Sequence, residues 1–299
     1  MKKFLNGLGI FGSAILSICL AILIFIYVVL LNVKSVVSEK GLTKILKNIN
    51  VVDVLKYIDD GTIYEDFIEL GDKLNLTENE FEDILNSDKV KEALGGFLSK
   101  VVSSTASDKK VNVTKEDVED FLNITIDEYN KVSNIKISDY KINEIVGLFN
   151  EEMVNNLNES ISEINIKENI DSKYINYVEF ANKVLFGNYT TIMLFLIIAI
   201  VVLISLFRFS YYKWIPYVVN SIRIPAILML LIGLFLCMMP LNRIVMYQII
   251  VMIKDLLINN IIITSIILFT IVFLLNIGYK EILKRFVKND DNYDSIKKI

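Results

Sequence analysis

The chemistry open to the water-facing part of this chain rests on carboxylates. Asp59, Asp60, Glu65, Asp66, Glu78, Glu80, Glu82 and Asp83 crowd one stretch, and Asp117, Glu119 and Asp120 follow later. Such groups bind hard cations through oxygen or work as acid–base pairs. An EF-hand loop centred on Gly61 would need acidic ligands at its first and twelfth positions, where Lys56 and Phe67 stand. Solvated helix surface is therefore the expected role. Glu78, Glu80, Glu82, Asp83, Asp117, Glu119 and Asp120 are the expected partner contacts, and weak divalent cation binding is the alternative use.

Other reactive groups are scarce. The chain has no histidine, which removes Ser-His-Asp and Cys-His pairs and every His-ligated metal. Its two cysteines, Cys19 and Cys237, lie in apolar runs without a second thiol nearby, so they read as packing residues. Ile18 directly before Cys19 argues against lipidation. No Gly-x-x-x-x-Gly-Lys loop or Gly-x-Ser-x-Gly elbow occurs. No catalytic residue, cofactor or metal site is assigned, and a non-enzymatic protein is expected.

The elements that must carry these residues are set by hydropathy. Of 299 residues, 54% are hydrophobic and 22% charged, with a mean hydropathy of +0.50. Phe4–Val33, Val184–Phe207, Ile224–Asn242 and Leu256–Tyr279 contain no Asp, Glu, Lys or Arg, over 30, 24, 19 and 24 residues. About 20 apolar residues suffice for a helix to cross the hydrocarbon core. Four spans follow. They exclude a soluble globular enzyme, a disordered chain and a basic nucleic-acid binder. The first run lacks an Ala-x-Ala site and outlasts a signal h-region, so it reads as an uncleaved anchor.

Charge orients the spans. Segment 34–188 holds 18 basic and 30 acidic residues, net −12, while the remainder holds 13 and 5, net +8. Lys and Arg near membrane ends collect on the cytoplasmic side. Lys2 and Lys3, then Arg208, Lys213 and Arg223, then Lys280, Lys284, Arg285 and Lys288, fall on one side of a four-span chain. Both termini are expected in the cytoplasm, in a cell membrane. The third span is expected to begin near Pro216 and take in Asn220 and Arg223, with Arg223 snorkelling. Leu241–Asp255, too apolar for an ordinary loop, is expected as an interfacial helix; the alternative is an extension of the neighbouring spans.

Within 34–188 apolar residues recur at helical spacing and proline is absent. Leu42, Ile45, Leu46, Ile49, Val52 and Leu55 predict one helix ending near Ile58, before Asp59-Asp60-Gly61. Val90, Leu94, Phe97, Leu98 and Val101 predict another, with Gly95-Gly96 as a close approach or weak point. Ile142, Ile145, Val146 and Phe149 predict a third, and Ile175 to Leu185 a helix running into the second span. Thr77–Asn86 is echoed by Thr114–Asn123, 37 positions later, and faintly from Ser138. Each copy begins with a capping hydroxyl, and Thr77 with Glu80 forms a capping-box pattern. Five Asn-x-Ser/Thr triplets are present, but 28 Asn and only four Arg are what AT-rich codons produce. A bacterial source of low GC content is expected, with the triplets unglycosylated.

The expected fold class is an all-α integral membrane protein with a helical extracytoplasmic domain inserted between the first and second of four transmembrane helices. Residues 1–33 are the N-terminus and first span, and 34–188 the acidic domain. Residues 189–279 are three spans with a basic inner loop and an apolar outer segment, and 280–299 a basic tail. The expected function is interaction, scaffolding or sensing in the envelope, with the bilayer and a protein as partners and no nucleic acid. A channel or transporter subunit is the alternative, and a membrane-bound hydrolase using the carboxylates comes third. A reporter active only outside the membrane, fused after Ser104, should be active, and one fused at Ile299 silent. The same readout from both fusions would refute the four-span arrangement.

Overall fold

A computed structural model describes residues 2–57, 77–106, 113–132, 154, 155, 158, 183–185, 187–208, 212–239 and 247–296. All regular structure among them is helical. In chain order the helices are α1 Lys2–Val36, α2 Glu39–Lys47, α3 Val51–Tyr57, α4 Glu78–Leu85, α5 Asp88–Ala106, α6 Lys115–Val132, α7 Tyr189–Arg208, α8 Ile215–Met238 and α9 Tyr247–Ile296. Four stretches are long and apolar enough to cross a membrane: Gly9–Val36, Tyr189–Arg208, Ile215–Met238 and Ile250–Arg285. This is a multi-pass pattern. The chain divides into two compact units, one of Met1–Asn32, Asn188–Met239 and Leu257–Ile299, the other of Val33–Gly187 and Pro240–Leu256.

In the first unit the span helices share one core. Leu20, Ile24 and Val28 of α1 meet Ile204 of α7, Val218, Ala226 and Met229 of α8, and Ile261 and Leu268 of α9. The opposite faces carry large apolar side chains such as Phe11, Phe195, Phe235 and Phe273, each more than 60% exposed. That inversion suits hydrocarbon as the solvent. Helices so arranged gain little from hydrophobic exclusion and depend on close packing and interhelical hydrogen bonds.

Two expectations about the spans change. α8 begins at Ile215 with Pro216 in its first turn and includes Asn220 and Arg223, as expected. Proline fits there because the first helical N–H groups have no intrahelical partner. Residues 247–255, expected as an interfacial helix, instead belong to α9, which runs on through the fourth span to Ile296. Lys254 and Asp255 mark a change of polarity, but a helix stops only where its backbone is interrupted. Between Tyr247 and Ile277 there is no Pro or Gly to do so. The helix expected to run through Leu185 into the second span is also interrupted, by a bend at Gly187 before α7 begins.

The second unit is a small helical core. Val52, Phe81, Ile84, Leu85, Val90 and Tyr129 are buried together, with Leu94, Phe121 and Ile124 against them. The single helix expected from Leu42 to Ile58 is two helices. Asn48 ends α2, its backbone N–H reaching Ile45 and Leu46 and its amide donating to the Lys44 carbonyl at 2.7 Å. Asn50 Oδ1 accepts from the Val52 N–H at 3.0 Å and opens α3. Asparagine side chains offer the backbone local partners that compete with helix continuation. Apolar periodicity carries across the break because each helix buries one face, α2 at Ile45 and α3 at Val51 and Val52.

The break is tied to the rest of the unit. Asn86, the C-cap of α4, accepts from Val51 N–H at 2.9 Å and donates to Asn50 Oδ1 at 2.8 Å. Lys91, buried in α5, donates to the Ile49 carbonyl at 2.8 Å. Burial lowers its pKa from the usual lysine value, against the opposing charge of Asp88. Asp59-Asp60-Gly61, the Ile142–Phe149 stripe, the copy from Ser138 and Ile175–Val178 lie outside the described residues.

α2 and α5 pack most intimately, and Gly95 is the reason. A Cβ there would strike Thr43 Oγ1 and lie 2.8 Å from Thr43 Cα, whereas one at Gly96 would find ordinary contact 3.7 Å from Glu39. The backbone of α2 has no flexible end to move aside. Gly95→Ala should therefore destabilise the protein by about 1–3 kcal/mol, the usual cost of overpacking, whereas Gly96→Ala should be neutral or slightly stabilising. Chemical denaturation of both variants checks the pair.

Candidate functional site

Each expected contact residue has a defined structural setting. Thr77 is the N-cap of α4. Its hydroxyl accepts from the Glu80 N–H at 3.3 Å, and Glu80 Oε2 accepts from the Thr77 N–H at 2.9 Å and its hydroxyl at 2.7 Å. Two otherwise orphaned helix donors are satisfied reciprocally. The Thr77 backbone bond, then its hydroxyl, holds the Glu80 carboxyl below its ordinary pKa. The second copy does the same with aspartate. Thr114 Oγ1 accepts from Asp117 N–H at 3.3 Å, and Asp117 Oδ2 from Thr114 N–H at 3.0 Å. Burial opposes ionisation of Asp117, but bonds from Lys100 and Thr114 outweigh it and keep its pKa low.

Three more of the seven are paired. Glu82 meets Lys56 Nζ at 2.9 Å and Glu78 meets it at 3.9 Å, joining α4 to α3. Glu119 pairs with Lys115 at 3.4 Å within α6. Exposed pairs of this kind contribute about 0–1 kcal/mol each, so they set register rather than hold the fold. Asp83 and Asp120 remain. Both are exposed and make no such contact among the described residues. They occupy matching positions in the two copies, 37 residues apart. Among the described residues no three His, Cys, Asp or Glu side chains are grouped to hold a metal ion.

The span unit carries a second polar constellation. Ser17 Oγ donates to the Tyr217 carbonyl at 3.0 Å and lies 2.7 Å from Ser221 Oγ, joining α1 to α8. Ser221 Oγ lies 2.8 Å from the carbonyls of both Ser17 and Tyr217, either of which its one O–H can serve. Ser265 of α9 donates to the Ala226 carbonyl of α8 at 2.8 Å, beside Pro225. Thr264 of α9 has its hydroxyl 3.2 Å from Asn32 Oδ1 of α1 and 2.7 Å from the Asn260 carbonyl of its own helix, with one proton between the two. These three ties link α1, α8 and α9 in a ring. α7 joins differently, because a Cβ at Gly9 would lie 2.7 Å from the Phe207 carbonyl oxygen and one at Gly12 would touch its ring. Thr270 bonds within its own helix, to Ile266 at 2.9 Å.

The charge-free runs hold Ser13, Ser17, Ser205, Thr264, Ser265 and Thr270, whereas Ser221 lies outside them and Asn32 at the end of the first. A signal was present. Gly9, Ser13, Ser17 and Ala21 recur every fourth residue, a small-residue face that permits close helix approach.

The caps generate a pH prediction. Because Glu80 and Asp117 are lowered in the fold, their contribution is complete above the ordinary carboxyl range. It is lost as pH falls through that range, about 4, and below it. Thr77→Ala should cost about 1 kcal/mol at neutral pH and less in acid, where Glu80 is protonated. Thermal melts of wild type and variant across this window check the sign, and a gap that widens in acid would refute it.

No family model, no curated protein and no solved structure matches this chain. Its function has to be argued from its own residues.

Proposed function

We propose that this is a multi-pass protein of a bacterial cell membrane, with both termini cytoplasmic. Its acidic helical domain between the first and second spans faces outward and works as an interaction, scaffold or sensing module. Support for the orientation comes from the basic segments on one side of the four spans and the net −12 of segment 34–188. The grouping of Pro240–Leu256 with Val33–Gly187 in one compact unit agrees with it, since an even span count leaves both on the same side.

The observation that carries the interaction reading is the division of labour among the carboxylates. Glu80 and Asp117 cap helices, and Glu78, Glu82 and Glu119 pair with lysines. Asp83 and Asp120 repeat at the same place after each capped start and serve neither purpose. Their charge is available to a partner. A negative field of this kind attracts basic partners and divalent cations and repels anionic polymers.

The full-length double variant Asp83→Asn/Asp120→Asn should keep its helix content and lose no more than about 0.5 kcal/mol of stability, as surface substitutions do. It should fail to complement a deletion of the gene, and wild-type complex recovered by cross-linking at these positions should weaken as salt shortens the screening length. Full complementation by the double variant, with failure by variants of Ser17 and Ser221, would instead favour a channel or transporter subunit.

A further inference from the structure

Two buried side-chain polar atoms among the described residues lack a hydrogen-bond partner: Ser13 Oγ and Arg208 Nε. They belong to the same corner of the span unit. Gly9 and Gly12 sit against Phe207, the neighbour of Arg208. Two turns along α1 from Gly9, the Ser17 hydroxyl bonds the Tyr217 carbonyl. Arg208 lies over the ring of that same tyrosine, its Cζ 5.2 Å from the centroid. Ser13 is about one helical turn from Gly9 and one from Ser17. It therefore lies on α1 between the turn that meets Phe207 and the turn that meets Tyr217, whose ring Arg208 covers.

The chemistry of this corner is one-sided. A guanidinium has five N–H donors and no acceptor, and a buried charged donor left unpaired is costlier than a neutral one. Among the described side chains no carboxylate pairs with it; Glu281 lies 3.9 Å from Lys284 and 3.8 Å from Arg285. Arg208 is only half-buried, so an anion can reach it. Arg208 closes the last turn of α7, where a basic side chain reaches the headgroup level of a bilayer. Donors without acceptors call for an anion with several acceptor oxygens, and phosphate matches the guanidinium fork.

We propose that Arg208, Ser13 and Tyr217 form a site for a phosphate-bearing anion. Arg208 is the two-point donor, the Ser13 hydroxyl adds a third bond, and the Tyr217 ring holds the guanidinium plane through a cation–π contact. The anion is the headgroup phosphate of an anionic lipid or a soluble phosphate compound, two sources with the same recognition chemistry.

The test uses the full-length protein in phosphatidylcholine nanodiscs with two probes. Phosphatidylglycerol is added to the discs in one arm, and its retention is counted by native mass spectrometry. Inorganic phosphate is titrated into discs without it in the other. Wild type should bind in at least one arm: retention of phosphatidylglycerol alone assigns a lipid, and binding of inorganic phosphate assigns a soluble ligand. Arg208→Gln should weaken binding by about tenfold or more. Arg208→Lys should also weaken it, since lysine keeps the charge but loses the fork, and Ser13→Ala should weaken it severalfold. Arg223→Gln, an exposed charge elsewhere on α8, should leave it unchanged. Circular dichroism checks folding, and Arg208→Lys carries the test if Arg208→Gln does not fold. No binding by wild type in either arm would overturn the site. So would undiminished binding by a folded Arg208 variant, or an equal loss in Arg223→Gln.

Discussion

Hydrocarbon offers no hydrogen bonds, and the span unit is organised around that constraint. Each crossing segment must close its own backbone pairs, which leaves the continuous helix as the solution for α1, α7, α8 and α9. Side chains face the same demand. Ser17 and Ser221 share their two protons among one another and two carbonyls, Ser265 reaches the Ala226 carbonyl next to Pro225, and Asn32 lies within reach of the Thr264 hydroxyl. Each such bond contributes modestly, about 0.6 kcal/mol on average in comparable bundles. Together they favour the observed inward face of each helix, because bonds between helices add to those a side chain makes to its own helix backbone. Where the rule is broken, at Ser13 and Arg208, the exception is informative.

In the second unit polar groups both end helices and tie neighbouring helices together. Asn48, Asn50, Thr77, Asn86 and Thr114 each sit at a helix boundary and satisfy backbone groups there. The acidic surplus follows the same logic, since a carboxylate in a first turn meets the positive end of the helix dipole. Net charge and local structure are thus linked. Five of the seven carboxylates singled out as contacts have a role in the fold, which narrows the surface left for a partner.

Small residues decide contact geometry in both units. Gly95 lets α5 lie against Thr43, and Gly9 lets α1 lie against the Phe207 carbonyl. In both cases the obstacle to a larger side chain is backbone, which cannot rotate out of the way. The two contacts serve different ends. One packs α2 against α5 in the second unit, while the other brings Arg208 to the corner it shares with Ser13 and Tyr217.

The sequence by itself determined the number of spans, the all-helical character, the two capped starts at Thr77 and Thr114, and the inclusion of Pro216 and Arg223 in the third span. These follow from local properties: run length, periodicity of apolar residues, and capping chemistry within four residues. It also carried the roles of individual carboxylates in part, because the Thr77–Glu80 box is local, while the Lys56–Glu82 and Lys100–Asp117 pairs join residues far apart in the chain. Only the tertiary structure decided that Asn48–Asn50 splits one apolar stripe into α2 and α3, since the break is anchored by Asn86 and Lys91 some 35 to 42 positions away. The pairing of Ser17 with Ser221, 204 positions apart, was hidden for the same reason. Hydrogen bonds between distant segments have no period to read, and their partners are chosen by helix packing rather than by neighbours in the chain.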